Sequence, residues 1–361
     1  MSGIKNLRVF TVRMIAAVNI VVVVAMCVMG YAGTISPEKH PSYEVLTLFF
    51  PIPLLINILF LVFWLFVHRK IMLIPIAGLV LCLPVIRSYC PINIPQKAPQ
   101  DALKIMSYNV CRFNMDKDPV VSPGKLAEYI VKENADVVCL QEYYSHDRDS
   151  LRIKYLRAVY PYAEVLLEPR KEWIVVYSKY PIVKKEVIPV GALSNTCGAF
   201  YLDVNGDTLL VINCHLESNR LTDGEKNEID QFVKRKKDNI DEMPIAHKLK
   251  NSAAKRARQA EILSDYIKKH QNMSVVLCGD INDTPISYTH HVLTRHLLDC
   301  HTRAGNGPGF SHKSKGIYVR IDNILCSDDF KPYQCKIDTK IEYSDHYPII
   351  CSLKKRQNPK K

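Results

Sequence analysis

Two pieces of sequence, Ile321-Asp322-Asn323-Ile324-Leu325 and Ser344-Asp345-His346-Tyr347-Pro348, decide how the C-terminal part of the chain is read. The first puts one carboxylate inside an apolar run, as a strand would. The second sets Asp and His side by side ahead of another apolar run, Ile349-Ile350-Cys351. A histidine that moves protons or binds phosphate needs a carboxylate to fix its tautomer and orientation. Asp322 is expected to supply one to His346 across adjacent strands.

Other strand-like runs end the same way. Ala102 to Val110 alternates like a strand and carries Asn109 at its end, and Asp136 to Glu142 is an apolar run closed by Glu142. Ala199 to Val204 and Thr208 to His215 flank a hairpin signal, Asn205-Gly206-Asp207, and the second run closes on His215. Ser274 to Asp280 is apolar and ends in Gly279-Asp280-Ile281-Asn282. A single Asp or Asn after a strand is a turn former. Turn chemistry does not account for a set that holds Asn109, Glu142, His215, Asp280 with Asn282, Asp322, and Asp345 with His346. Between the first two runs, Leu126, Tyr129 and Ile130 recur at helical spacing.

The chain begins differently. Residues 1–90 read as a membrane anchor with two to three transmembrane helices at about 14–33, 45–67 and 71–86, each an uncharged run. The third is short and contains Pro75 and Pro84, which is why two to three crossings are expected. Asn19 and Asn57 stand alone among these apolar residues, and no embedded charge marks a transport path, so anchoring is the expected role. Basic residues favour the cytoplasmic side: Lys5, Arg8 and Arg13 precede the first run, and His68-Arg69-Lys70 separates the second from the third. Three crossings then place the chain after Arg87 outside. The expectation is a protein of the cytoplasmic (inner) membrane with an extracytoplasmic domain. Residues 91–100 form a Pro-rich linker, 101–355 the soluble domain and 356–361 a basic tail.

The whole chain carries 48 Lys and Arg against 36 Asp and Glu, a formal charge of +12, of which +7 lies from Lys97 onward. That excess suits a polyanionic partner or a membrane surface. The 12 cysteines show no CxxC pair and sit mostly in apolar runs, which argues for buried thiols against a zinc site or disulfide framework.

The segments Ser107-Tyr108-Asn109-Val110, Leu140-Gln141-Glu142, Asn213-Cys214-His215-Leu216, Gly279-Asp280-Ile281-Asn282, Arg320-Ile321-Asp322 and Ser344-Asp345-His346-Tyr347-Pro348 resemble, in order, the motifs of the endonuclease/exonuclease/phosphatase (DNase I-like) superfamily. The resemblance runs from about Ala102 to Leu353. It implies an α/β four-layer sandwich of two packed, mixed, mainly antiparallel sheets flanked by helices. It also implies a Mg²⁺-dependent hydrolase of phosphoester bonds, with Mn²⁺ as a possible substitute. In that reading Glu142, Asn109 and Asp345 serve the metal, and Asp280 aligns and deprotonates water. Asn282 donates to phosphate, His346 handles phosphate or a proton while Asp322 orients it, and His215 is a phosphate ligand or acid.

The expected substrate is a phosphodiester of nucleic acid or of a phospholipid head group; alternatives are a phosphomonoesterase of the same fold and an inactive phosphate-binding module. His215-Leu216-Glu217-Ser218 resembles the matching element of five-prime tyrosyl-DNA phosphodiesterases. The segment 226–258 holds ten Lys and Arg, including Lys234-Arg235-Lys236-Lys237, and reads as a solvated helical face or a basic rim to the site, with Lys255 or Arg258 able to point inward. Gly305 to Ser311 reads as a flexible loop that sets specificity. His146, His247, His290, His291, His296, His301 and His312 are assigned to surface or structural roles. Oligomeric state is not legible.

Overall fold

A computed structural model of the chain describes residues 2–113, 121–143, 151–167, 173–191, 195–219, 222, 224, 244–314, 317–341 and 343–357. The apolar N-terminal runs form helices α1 (Ser2–Tyr31), α2 (Pro41–Thr47), α3 (Pro51–Val67), α4 (Leu73–Leu81) and α5 (Leu83–Tyr89). The stretch Asn6–Thr34, most of α1 and the turn after it, is long and apolar enough to cross a membrane. The second and third runs pass the same test only as bent pairs. The axes of α2 and α3 differ by 46°, and that of Arg69–Leu81 differs from that of α5 by 61°. Proline explains both breaks, since Pro51 and Pro84 each open a helix whose ring cannot continue the preceding turn.

Asn19 and Asn57 are not isolated. Asn19 Nδ2 donates to Asn57 Oδ1 (3.3 Å), Trp64 Nε1 donates to Asn19 Oδ1 (3.1 Å), and Asn57 Nδ2 donates to the Pro75 carbonyl (3.0 Å). All four groups are satisfied inside the helical bundle. They join the three apolar segments to one another through buried hydrogen bonds.

Beyond the anchor the chain alternates strands and helices: β1 (Leu103–Asn109), α6 (Val121–Glu133), β2 (Val137–Tyr143), α7 (Leu151–Val159), β3 (Tyr162–Leu166), β4 (Trp173–Ser178), β5 (Ile182–Val187), β6 (Cys197–Val204), β7 (Asp207–His215), α8 (Pro244–Lys269) and β8 (Ser274–Asp280). Then come α9 (Tyr288–Leu293), β9 (Leu298–Asp299), α10 (Cys300–Ala304), β10 (His312–Ser314), β11 (Ile317–Val319), β12 (Asp322–Cys326), β13 (Phe330–Ile337) and β14 (Ile349–Lys355). One six-stranded sheet has the order β13-β14-β1-β2-β4-β3, and the other β5-β6-β7-β8-β12-β9. Each sheet has one parallel pair, β1 with β2 and β7 with β8. Parallel neighbours need a long crossover, and α6 and α8 supply it.

Strand periodicity builds the four layers. Ile105, Val137, Cys139, Val211, Val276, Cys278 and Ile324 face the opposite sheet and fill the space between the two. Their alternate neighbours face outward. Met106, Val138 and Leu140 meet Leu126, Ala127 and Ile130 of α6 with Leu156 of α7, while Leu210, Ile212 and Leu277 meet Ala257, Ala260, Leu263 and Ile267 of α8. Burying each large apolar side chain contributes about 1.5–3 kcal/mol, so the middle layer fixes how the sheets face one another. The expected Asn-Gly hairpin joins β6 to β7, with positive φ at both Asn205 and Gly206. The 12 cysteines are free thiols.

Candidate active site

The alternation that fills the middle layer also builds the site. On β1, Leu103 and Ile105 are followed at the same parity by Ser107 and Asn109. On β2, Val137 and Cys139 lead to Gln141. On β7, Leu209 and Val211 lead to Asn213 and His215. On β8, Val276 and Cys278 lead to Asp280. Period two keeps each series on one side of its strand. Antiparallel β12 starts where β8 ends, Asp322 opposite Asp280, and His215 lies opposite Asp280 on the other flank. One end of the layer is therefore polar. Beneath it Gln141 Nε2 donates to Asn213 Oδ1 (2.7 Å), and Asn213 Nδ2 donates to the carbonyls of Leu140 (3.1 Å) and Val175 (3.0 Å), a buried bridge between the sheets.

Simple alternation would turn Glu142 away from this cluster. Its backbone has φ 50°, in the left-handed region, and the pairing of β2 with β4 shifts between Leu140 and Tyr143. The bulge drops a residue from the ladder and re-aims the carboxylate inward. Asn109 Nδ2 then donates to both Glu142 Oε1 (3.0 Å) and Asp280 Oδ2 (3.1 Å). His215 Nε2 lies 3.8 Å from each of those two oxygens.

Asp280 sits at the centre and is buried. Burial, reinforced by the Asp322 carboxylate, pushes its pKa up to about 6, against the pull of His346, His215 and the Asn282 N–H. Gly279 before it has φ 149°, and a Cβ there would collide with the Cys214 carbonyl, so the sharp close of β8 requires glycine. Asn282 caps the turn: its N–H donates to Asp280 Oδ1 (2.8 Å), and its side-chain amide donates to the Leu216 carbonyl (3.0 Å). That amide therefore faces the neighbouring loop.

His346 Nδ1 lies 2.8 Å from Asp322 Oδ2. The expected pairing exists, but not across adjacent strands. Asp322 opens β12 in one sheet, and His346 precedes β14 in the other, so the pair bridges the layer. Burial would lower the His346 pKa, but Asp322 and then Asp280 outweigh it and push it up to about 10. His346 Nε2 is 3.7 Å from Asp280 Oδ2.

His312, expected in a surface or structural role, stacks edge-on against His346 with ring centroids 4.7 Å apart. Its Nε2 is 3.8 Å from Asp345 Oδ2. Only its place on β10 beside His346 reveals this, through a bridge between the two backbones. Ser344 Oγ ties this segment to β1 through the Asn109 carbonyl (2.8 Å).

The cation that α8 buries is Arg256. Lys255 pairs with Glu217 (3.2 Å) and Arg258 with Glu38 of the N-terminal portion. Arg256 Nε donates to Asp283 Oδ2 (3.0 Å), and its Nη1 donates to the Glu217 carbonyl (3.1 Å) and Asn219 Oδ1 (2.8 Å), joining the loops after β7 and β8. The apolar faces of α8 give no sign of a polar residue there. Most of the basic segment, including Lys234 to Lys237, lies outside the described residues, as does His146. The loop from Gly305 to Ser311 is fastened: Ser311 Oγ accepts from the N–H groups of Ile321 (3.0 Å) and Asp322 (2.9 Å), and Asn93 Nδ2 donates to the Gly305 carbonyl (2.6 Å).

The donors present fit a hard divalent cation. Glu142 Oε1 and Asp280 Oδ2 converge on the Asn109 amide, which gathers two carboxylate oxygens at one point. Cys111 lies near both Glu142 and Asp345. Burial pushes its thiol up, and those two carboxylates add to the shift. Among the described residues two sets bring ligand atoms within 4.8 Å of one another, Asp280 with Asp322 and His346, and His312 with Asp345 and His346. Glu142 belongs to neither, but oxygen donors in small number suit Mg²⁺ or Mn²⁺, which keep several waters.

The profile of the Endonuclease/Exonuclease/phosphatase family matches residues 106–346. Residues 12–89 match a domain of unknown function (DUF8431). No curated protein sequence matches the chain. Among solved structures, the fold is similar to that of D. rerio TDP2 humanized by 14 mutations, at 17% identity and a TM-score of 0.52 over 70% of this chain and 99% of that one. It is similar to an endonuclease/exonuclease/phosphatase from Bacteroides vulgatus, at 14% identity and 0.51 over 71% and 100%. SmcL gives 17% and 0.51 over 71% and 100%. These likenesses are of fold. The profile match over most of the chain identifies it: the chain belongs to the endonuclease/exonuclease/phosphatase family.

Proposed function

We propose that the chain is a membrane-anchored phosphodiesterase that hydrolyses phosphoester bonds with a divalent cation, by attack of water on phosphorus. One observation carries this reading. Asp280 is buried between the Asn109–Glu142 pair and two histidines, His215 and His346. Carboxylates packed this way cost stability, and such arrangements mark sites of proton transfer.

Glu142, Asn109 and Asp345 would hold Mg²⁺, with Mn²⁺ as a substitute, and the cation supplies positive charge to the phosphoryl and leaving oxygens. Asp280 holds the attacking water and takes its proton, for which a pKa near 6 is better matched than an ordinary carboxylate's. As the water oxygen bonds to phosphorus the ester oxygen departs, and His215 hands it a proton. His346, kept protonated by Asp322, donates to a phosphoryl oxygen. Asn282 adds an amide donor once it leaves the Leu216 carbonyl.

The anchor crosses the inner membrane with its basic N-terminus and His68-Arg69-Lys70 inside and the catalytic domain outside. The ends of the three apolar segments support this reading, because they meet on the domain's side. Tyr31 Oη donates to the Leu81 carbonyl (2.6 Å), and the rings of Phe50 and Tyr89 pack 6.0 Å apart.

The substrate is a phosphodiester of a lipid head group or of nucleic acid. Tethering beside the bilayer favours the head group. Nucleic acid suits the fold's likeness to D. rerio TDP2 complexed with single strand DNA product, at 17% identity and a TM-score of 0.50. A panel of plasmid DNA, oligonucleotides, sphingomyelin-type lipids and inositol phosphates under Mg²⁺ or Mn²⁺ tests the choice. Turnover of one class names it, and binding without turnover of any would identify a phosphate-binding module instead.

A further inference from the structure

The N-terminal portion touches the catalytic domain at the loops that carry the site, and at buried positions. Glu44 of α2 is only 5% exposed and accepts from the Tyr288 N–H through Oε2 (3.2 Å). Its carboxyl lies against that of Asp283. Asp283 follows Asn282 directly, is itself buried, and accepts from Arg256 and from Thr289 Oγ1 (2.9 Å). Arg256 reaches on to the Glu217 carbonyl, two residues after His215. Glu44 thus stands at the head of a buried chain that joins the two loops holding His215, Asp280 and Asn282.

The packing around it is equally close. Ile286 is buried among Met26, Phe50, Cys82 and Val85, and Gly33 approaches so near that a Cβ would collide with the Ile286 carbonyl. A second contact is made just before β12. The Ser88 carbonyl at the end of α5 accepts from Arg320 Nη2 (2.6 Å), two residues before Asp322. A flexible tether needs none of this. Burying a carboxylate from another segment against a second carboxyl is costly unless it is hydrogen-bonded and held.

We infer that the outer end of the anchor is a working part of the catalytic domain, with Glu44 a positioning residue that holds the 281–288 loop and, through it, Asp280 and Asn282. Its catalytic consequence rests on the proposed phosphodiesterase activity. The docking itself does not. An amide at position 44 keeps the acceptor for Tyr288 and can donate to Asp283. A methyl group can do neither.

The test uses the full chain in phospholipid nanodiscs, with Glu44→Ala and Glu44→Gln beside wild type. Turnover is measured on a soluble diester, bis(p-nitrophenyl) phosphate, so that membrane access of substrate plays no part. Hydrogen exchange is followed in 281–289 and, as a control, in β3 and β4. For Glu44→Ala the expected result is a kcat lower by about tenfold with KM nearly unchanged, as slight misplacement of a catalytic group produces. Protection in 281–289 should fall while β3 and β4 keep theirs. Glu44→Gln should restore both. Wild-type kcat in Glu44→Ala, or unchanged protection at Tyr288, would overturn the inference. A wild-type chain that hydrolyses nothing would instead overturn the phosphodiesterase reading, with the exchange comparison still deciding the docking.

Discussion

His346 Nδ1 and Asp322 Oδ2 lie 2.8 Å apart, and the two residues come from opposite sheets. The pair holds the imidazole in one orientation and keeps it charged well past neutrality. Asp322→Asn should leave the fold intact and lower kcat by about 10²–10⁴-fold, as loss of an orienting carboxylate does in other histidine-dependent hydrolases. It should also move the alkaline limb of the pH–rate profile toward acid, because the raised His346 pKa, about 10, depends first on Asp322. Near wild-type turnover with an unmoved limb would show that His346 needs no partner.

Glu142 reaches the site only through its left-handed backbone and the bulge in β2. Glu142→Gln keeps the shape and removes the charge. The Mg²⁺ concentration giving half-maximal rate should rise by on the order of 10–100-fold, the scale of losing a partner in a metal site. A metal titration of the variant's turnover checks this.

Gln141 and Asn213 join the two sheets below the site, and neither is exposed. Gln141→Ala leaves the buried Asn213 Oδ1 without its donor. Urea unfolding of the chain in detergent micelles should show a loss of about 1–3 kcal/mol, the cost of one unsatisfied buried group.

His301 is buried with Nε2 directed at the Gly307 carbonyl (3.1 Å). Burial, and then the Arg320 guanidinium, push its pKa down to about 4. A histidine with a depressed folded pKa binds its proton more readily when unfolded. Its contribution is therefore present above the unfolded value of about 6.5 and is lost as pH falls from there toward 4. Urea titrations across that window should show stability falling on acidification, and His301→Gln should make the slope shallower. An equal slope in the variant would assign the effect to other groups.

Much of the fold and site could be read from the residues because strand parity links them. Val276 and Cys278 at alternate positions specify a buried face, and Asp280 at the next such position must open onto the same layer. The same logic failed for Glu142, whose inward aim comes from a bulge that apolar patterning does not encode. It also failed for His312, which joins His346 only through pairing of their backbones. Asn282 followed its motif, but its amide hydrogen-bonds a loop far away in sequence. Arg256, Glu44 and the Asn19–Asn57 pair were illegible for a common reason. A polar residue on a helix reads as solvent-facing or isolated until the partner segment, distant in sequence, is packed against it.

Metal-dependent phosphodiester hydrolysis is tested with bis(p-nitrophenyl) phosphate and the purified full chain with Mg²⁺, with EDTA, and in Glu142→Ala and Asp280→Ala. Turnover is expected with Mg²⁺, abolished by EDTA and lowered by each substitution by about 10²-fold or more. Turnover that survives EDTA or either substitution would contradict metal-dependent hydrolysis at this site.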